Sequence, residues 1–163
     1  MLVIADATPL HYLVLFASTP ILPALFGHIL IPHAVAEELQ HPHTPAEVRT
    51  WLFSPPPWLE IRHAGHAPTT TLAHLDPGAQ EAILLAQELQ ADLLLMDDWQ
   101  GRQEAHRRAL IVTGMLGVLE RAAERGLLDL PTALTRLQAT NFYLPAPLIR
   151  DLLARDAARK RQA

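Results

Sequence analysis

Residues 92–98 read Asp-Leu-Leu-Leu-Met-Asp-Asp, and residues 2–6 read Leu-Val-Ile-Ala-Asp. Each is a short apolar run without alternation, closed by aspartate. Such runs mark strands buried on both faces, the condition of a parallel sheet. Outward from this pair, HILI at 28–31 (stopped by Pro32), WLEIR at 58–62 and LIVT at 110–113 read as further strands. The segments between them carry helical signals. Thr8 and Pro9 supply an N-cap and a first helical residue for a helix reaching about residue 17. ILPALF, between Pro20 and Gly27, predicts a short second helix, and 33–40 and 45–53 predict two more. Residues 63–74 are polar and predict a loop. Asp76-Pro77-Gly78 then opens GAQEAILLAQELQ, the strongest amphipathic helix of the chain. Helices are also expected over 99–109, 114–126, 131–139 and 145–159. Strands alternating with helices define an α/β fold with a central parallel sheet. No repeat or linker interrupts residues 1–155, so one domain is expected there. A basic tail at 156–163 is expected to fray.

Composition narrows the chemistry. Half of the 163 residues are hydrophobic and 18% are charged, enough apolar material for a core and too much for disorder. The absence of cysteine excludes a disulfide scaffold, a thiolate zinc site and a cysteine nucleophile. The opening MLVIADATPL has no basic segment and is broken by Asp6, so no signal peptide is expected. With no apolar stretch of about 18 residues to span a membrane, a cytoplasmic protein is expected. The net charge of −4 excludes a globally basic nucleic-acid binder. The basic residues nevertheless gather late, at Arg102, Arg107 and Arg108 and again over 150–161, so a local phosphate-binding face remains open. Lys160 is the only lysine, and it lies in the tail.

In open α/β sheets, sites form at the carboxyl ends of strands. Asp6 follows one central strand, and Asp97 and Asp98 follow the other. An aspartate at a strand-to-helix junction ordinarily caps the next helix. Two such junctions with further acids near them favour a site. Glu81, early in the 78–90 helix, is one such acid; in the 33–40 helix one of Glu37 and Glu38 is another, its neighbour facing solvent. Clustered carboxylates stay ionised when a cation shares them. An all-oxygen set suits magnesium or manganese, which points to metal-dependent phosphodiester hydrolysis.

Several segments in order resemble the PIN-domain ribonucleases, in particular small prokaryotic proteins related to VapC-type toxins. They are VIADATPL at 3–10, ILIPHAVAEEL at 29–39, LDPGAQEAILLAQELQADLLLMDD at 75–98, GRQEA at 101–105 and VTGMLGVLERAAERGLL at 112–128. The resemblance implies a Rossmann-like PIN fold with a four- or five-stranded parallel sheet flanked by helices. It implies magnesium- or manganese-dependent cleavage of single-stranded RNA, a homodimer, and a small antitoxin as partner. Asp6, Glu38 and Asp97 match the family's acids, with Asp98 adjacent; Thr8 matches a small hydroxyl residue, and Arg102 a basic residue after the fourth strand. Glu81 completes the expected catalytic set of Asp6, Glu38, Glu81 and Asp97. The expected metal ligands are Asp6, Glu38, Glu81 and Asp97, with Asp98 as the alternate to Asp97. Thr8, Arg102, Arg107 and Arg108 are expected to contact RNA. The chain departs from relatives that carry Gly-Glu-x-Glu-Ala: here the segment is Gly78-Ala79-Gln80-Glu81-Ala82. Ala79 keeps a second reading open, that of a weak or inactive PIN-fold binding or regulatory module.

Other features yield less. His41, His43, His63, His66 and His74 read as loop histidines rather than a zinc site. Trp51 and Trp58 read as packing residues, and Trp99 as a residue open to substrate contact. A receiver-type phosphoacceptor lacks its lysine, a haloacid-dehalogenase-type phosphatase lacks an aspartate at position 8, and a dinucleotide site lacks its glycine-rich turn.

Overall fold

The computed structural model describes residues 1–163. Five strands form one all-parallel sheet: β1 (Val3–Ala5), β2 (Ile29–Pro32), β3 (Leu59–Arg62), β4 (Leu93–Leu95) and β5 (Val112–Thr113). Their order is β3-β2-β1-β4-β5. β1 is central, with Ile4 opposite Leu30 on one side and Leu94 on the other. β1, β2 and β4 are buried along their whole length. This is the environment their unbroken apolar runs demand, each fully buried Leu or Ile contributing roughly 1.5–3 kcal/mol. On the edge strand β3, Glu60 and Arg62 are ion-paired to each other and Ile61 is exposed.

The helices are α1 (Ala7–Leu15), α2 (Ile21–Phe26), α3 (His33–Leu39), α4 (Ala46–Phe53), α5 (Pro77–Glu88), α6 (Trp99–Arg107), α7 (Met115–Glu124), α8 (Leu130–Gln138) and α9 (Ala146–Gln162). α5 buries Ala79, Ala82, Ile83 and Ala86 in one cluster with Ile4, Leu30 and Leu94 of the sheet. None of the helices is long and apolar enough to cross a membrane.

Two expectations are corrected. The first helix starts at Ala7, not after Thr8. Asp6 takes the flanking position in extended geometry (φ −77°, ψ 174°) without a side-chain cap bond. The chain divides into two compact units, Met1–Met115 and Leu116–Ala163. The tail at 156–163 does not fray: α9 continues to Gln162. Buried Asp156 receives Arg159 and Lys160 from the next turn, the latter at 2.8 Å, and these (i, i+3) and (i, i+4) pairs hold the last turns. Within the loop at 63–74, Thr70–Leu72 forms one 3-10 turn that buries Leu72.

The topology locates a site before any side chain is considered. From β1 the chain builds β2 and β3 on one side, then crosses to build β4 and β5 on the other. The carboxyl ends of β1 and β4 therefore flank the point where strand order reverses, where open α/β sheets bind ligands. Asp6 and Asp97 both stand there.

Candidate metal centre

Asp6 leaves β1 with its N–H donating to the Leu95 carbonyl at 2.8 Å, which fixes it against the end of β4. The residue is only 5% exposed, and its Oδ1 has no hydrogen-bond partner. Glu38 reaches the same place from α3, and Asp76 from the N-cap of α5. One carboxylate oxygen from each of Asp6, Glu38 and Asp76 lies within 4.8 Å of the others. Gly78 makes the convergence possible. A Cβ there would stand 3.0 Å from Glu38 Oε2 and 3.4 Å from Asp6 Oδ1.

The electrostatics follow from this crowding. Burial pushes the Asp6 carboxyl from 3.8 up to about 7. A hydrogen bond from Ala7 N–H opposes the rise, while the charges of Asp76, Glu38 and Asp98 add to it. Glu38 is also raised, by burial and then by Asp76. An orphaned buried oxygen among mutually repelling carboxylates is what a bound cation relieves, and three oxygen donors beside a space kept open by Gly78 fit magnesium or manganese. An open cavity of about 350 Å³, lined by Glu37, Glu38, His41, Asp76 and Pro77 among others, gives access from solvent.

The structure separates the other expected residues. Glu81 stands outside the trio. Its Oε2 accepts from Ala34 N–H at 2.7 Å and its Oε1 from Ala64 N–H at 3.0 Å. It thereby satisfies a first-turn N–H of α3 and ties the segment after β3 to α5. Both oxygens of Asp97 accept from Met115 N–H, at 2.9 and 3.0 Å. Burial raises its pKa, with Met115 N–H and then Arg102 opposing. A Cβ on Gly114 would fall 2.6 Å from Asp97 Oδ1 and 2.7 Å from Arg102 Nη1, so any other residue there displaces this pair. Asp98 caps α6 through Gly101 N–H at 2.7 Å, and its charge is felt at Asp6. Thr8 is half-buried in the first turn of α1.

Arg102 Nη1 donates to the Met96 carbonyl at 3.2 Å. Arg107 and Arg108 both pair with Glu104, and Arg108 also donates to Gln87 and Thr71. These two arginines are tied into the surface of α6 rather than set out as a free basic face. Trp99 is 71% exposed at the start of α6, whereas Trp51 and Trp58 are half-buried against each other. Of the two glutamates in α3, Glu37 stands outside the trio, at the cavity rim and 3.5 Å from His33.

Asp76 was missed in the sequence because Asp-Pro-Gly is a complete helix-start signal. It does cap, accepting from Ala79 N–H at 2.8 Å.

The family of PIN domains designated DUF3368 matches residues 2–157. The chain belongs to the PIN-domain family. A solved PilT N-terminus domain protein from the hyperthermophilic archaeon Sulfolobus solfataricus P2 superposes on this PIN domain with a TM-score of 0.55. The two are 16% identical, and the match covers 75% of this chain and 93% of the other. At that identity the likeness concerns the fold. No curated protein matches the chain. As a PIN domain it has a nuclease fold, and its acidic group stands at the switch point of the sheet.

Proposed function

We propose that this PIN domain is a magnesium- or manganese-dependent endoribonuclease that hydrolyses phosphodiester bonds of single-stranded RNA. The observation that carries the reading is Asp6 Oδ1, a buried and unpartnered carboxylate oxygen converging with Glu38 and Asp76. Asp6 forms the floor of the centre and Glu38 and Asp76 its more exposed side, and the three would hold the cation. A divalent ion bound there supplies Lewis-acid stabilisation of a phosphate and activation of water. Arg102, one turn into α6, offsets the charge of Asp97, whose carboxylate is held by Met115 N–H. The family resemblance extends the proposal to a homodimer acting as the toxin of a toxin–antitoxin pair, with a small antitoxin as its partner.

The test is cleavage of a mixed single-stranded RNA pool with manganese or magnesium against chelator. Wild type cuts only with metal, and Asp6→Asn does not cut. Undiminished cleavage by Asp6→Asn would overturn the site. Absence of cleavage by wild type with any divalent ion would instead support the binding or regulatory module that Ala79 leaves open.

A further inference from the structure

We infer that His41 grips the substrate at this centre, donating a hydrogen bond from its Nε2 to a phosphate oxygen of the RNA strand seated over the carboxylates. The inference rests on the nuclease reading above and concerns how that site tolerates a polyanion. The cavity beside the trio is lined by Ala34, Glu37, Glu38, His41, Asp76, Pro77 and Gly78. Three of these side chains are carboxylates and none is lysine or arginine. His41 is the only lining side chain with a hydrogen-bond donor. Phosphates approaching through this space meet negative charge on most sides, and His41 alone offers them a proton.

The ring is held for that task by local contacts. His41 N–H donates to the Glu38 carbonyl at 3.1 Å, and Thr44 Oγ1 donates to the same carbonyl at 2.8 Å. The turn after α3 is therefore pinned to the residue that contributes a carboxylate to the trio. Pro42 stiffens the turn. His43 N–H donates to His41 Nδ1 at 3.2 Å, and the two imidazoles stack with centroids 5.0 Å apart, 27° from parallel. With Nδ1 occupied as an acceptor, the neutral ring carries its proton on Nε2, at the opposite edge. His41 thus presents a donor in a fixed tautomer, and it does so without becoming a fourth metal ligand: no histidine joins the trio.

The experiment compares His41→Phe, which keeps a planar ring and loses the donor, with His41→Gln, which keeps a donor. His74→Gln, an exposed histidine outside the cavity, is the control. Cleavage of a fluorescein-labelled single-stranded RNA in manganese is measured for KM and kcat, and manganese alone is titrated into each protein by calorimetry. His41→Phe should raise KM roughly tenfold, the scale of one hydrogen bond to a charged group. Its kcat should stay within a few fold of wild type and its manganese affinity should not change. His41→Gln should recover most of the KM, and His74→Gln should match wild type. An unchanged KM in His41→Phe overturns the inference, and so does a loss of manganese affinity, which would make His41 a ligand. Wild-type protein that cuts no single-stranded RNA removes the nuclease reading itself, an outcome distinct from wild type that cuts and a His41→Phe variant that cuts equally well.

Discussion

Replacing Asp6 by asparagine should stabilise the metal-free protein, and more so at alkaline pH. The Asp6 carboxyl is pushed from 3.8 up to about 7, chiefly by burial. Between about pH 4 and 7 the native state keeps a proton that the unfolded chain has released. Stability therefore falls as pH rises through that window and levels off above it. A displacement of that size corresponds to about 4 kcal/mol at pH 8 and under about 2 kcal/mol at pH 5. Asparagine has no charge to desolvate, so Asp6→Asn should recover most of this, with the gain about 2–3 kcal/mol larger at pH 8 than at pH 5. Other groups titrate as well. His11, lowered by burial, makes stability rise with pH up to its ordinary range. Carboxylates lowered by their partners, such as Glu104 beside Arg108 and Arg107, act only at more acidic pH. Comparing wild type with Asp6→Asn at the same pH cancels these contributions. The assay is chemical denaturation in chelator at pH 5 and pH 8, repeated with manganese. Manganese should stabilise wild type by mass action and leave Asp6→Asn unmoved. A gain no larger at pH 8 than at pH 5 would refute the reasoning, because the electrostatic cost assigned to Asp6 would then not exist.

Two further substitutions test the space and the bracing around the centre. Gly78→Ala places a methyl group 3.0 Å from Glu38 Oε2, at the far end of a flexible side chain. It should leave stability in chelator within about 1 kcal/mol of wild type while weakening manganese binding measured by calorimetry. Glu81→Gln keeps one acceptor of two and should cost about 1–3 kcal/mol by denaturant titration, with manganese affinity intact. Loss of manganese affinity without loss of stability would make Glu81 a ligand.

The sheet was legible because its central strands are buried on both faces. LVIA and LLLM have no polar residue to hide, so their runs give both the strand and its central place. Asp6 and Asp97 were legible for the same reason, each being the first charge after such a run. The alternation of strands and helices could not distinguish one compact unit from two. Sequence also could not say which acids of the surrounding helices turn inward. From position 76 to 81 a helix turns by about 140° and rises about 7 Å. Glu81 accordingly takes a different direction from Asp76 and accepts from the N–H groups of Ala34 and Ala64. The basic composition of the tail points to fraying, whereas its spacing points to a helix. Asp156 followed by Arg159 and Lys160 is a helical pairing pattern, and it holds the helix to Gln162.

Asp76 remains the residue whose two roles have to be separated, since it caps α5 and stands in the acidic trio at once. The cap uses one oxygen, Oδ1, accepting from Ala79 N–H. The charge and the remaining oxygen capacity are what a cation needs. Asparagine caps a helix about as well as aspartate but carries no charge, whereas alanine does neither, at a cost of about 1 kcal/mol. Asp76→Asn should therefore keep the thermal stability of the metal-free protein and lose roughly tenfold or more in manganese affinity, as falls in ligand charge do. Asp76→Ala should lose the same affinity and the cap as well. If Asp76→Asn bound manganese like wild type while Asp76→Ala was merely less stable, Asp76 would be a cap and nothing more. The centre would then need another third carboxylate, and Asp98, whose charge already reaches Asp6, stands next to supply it.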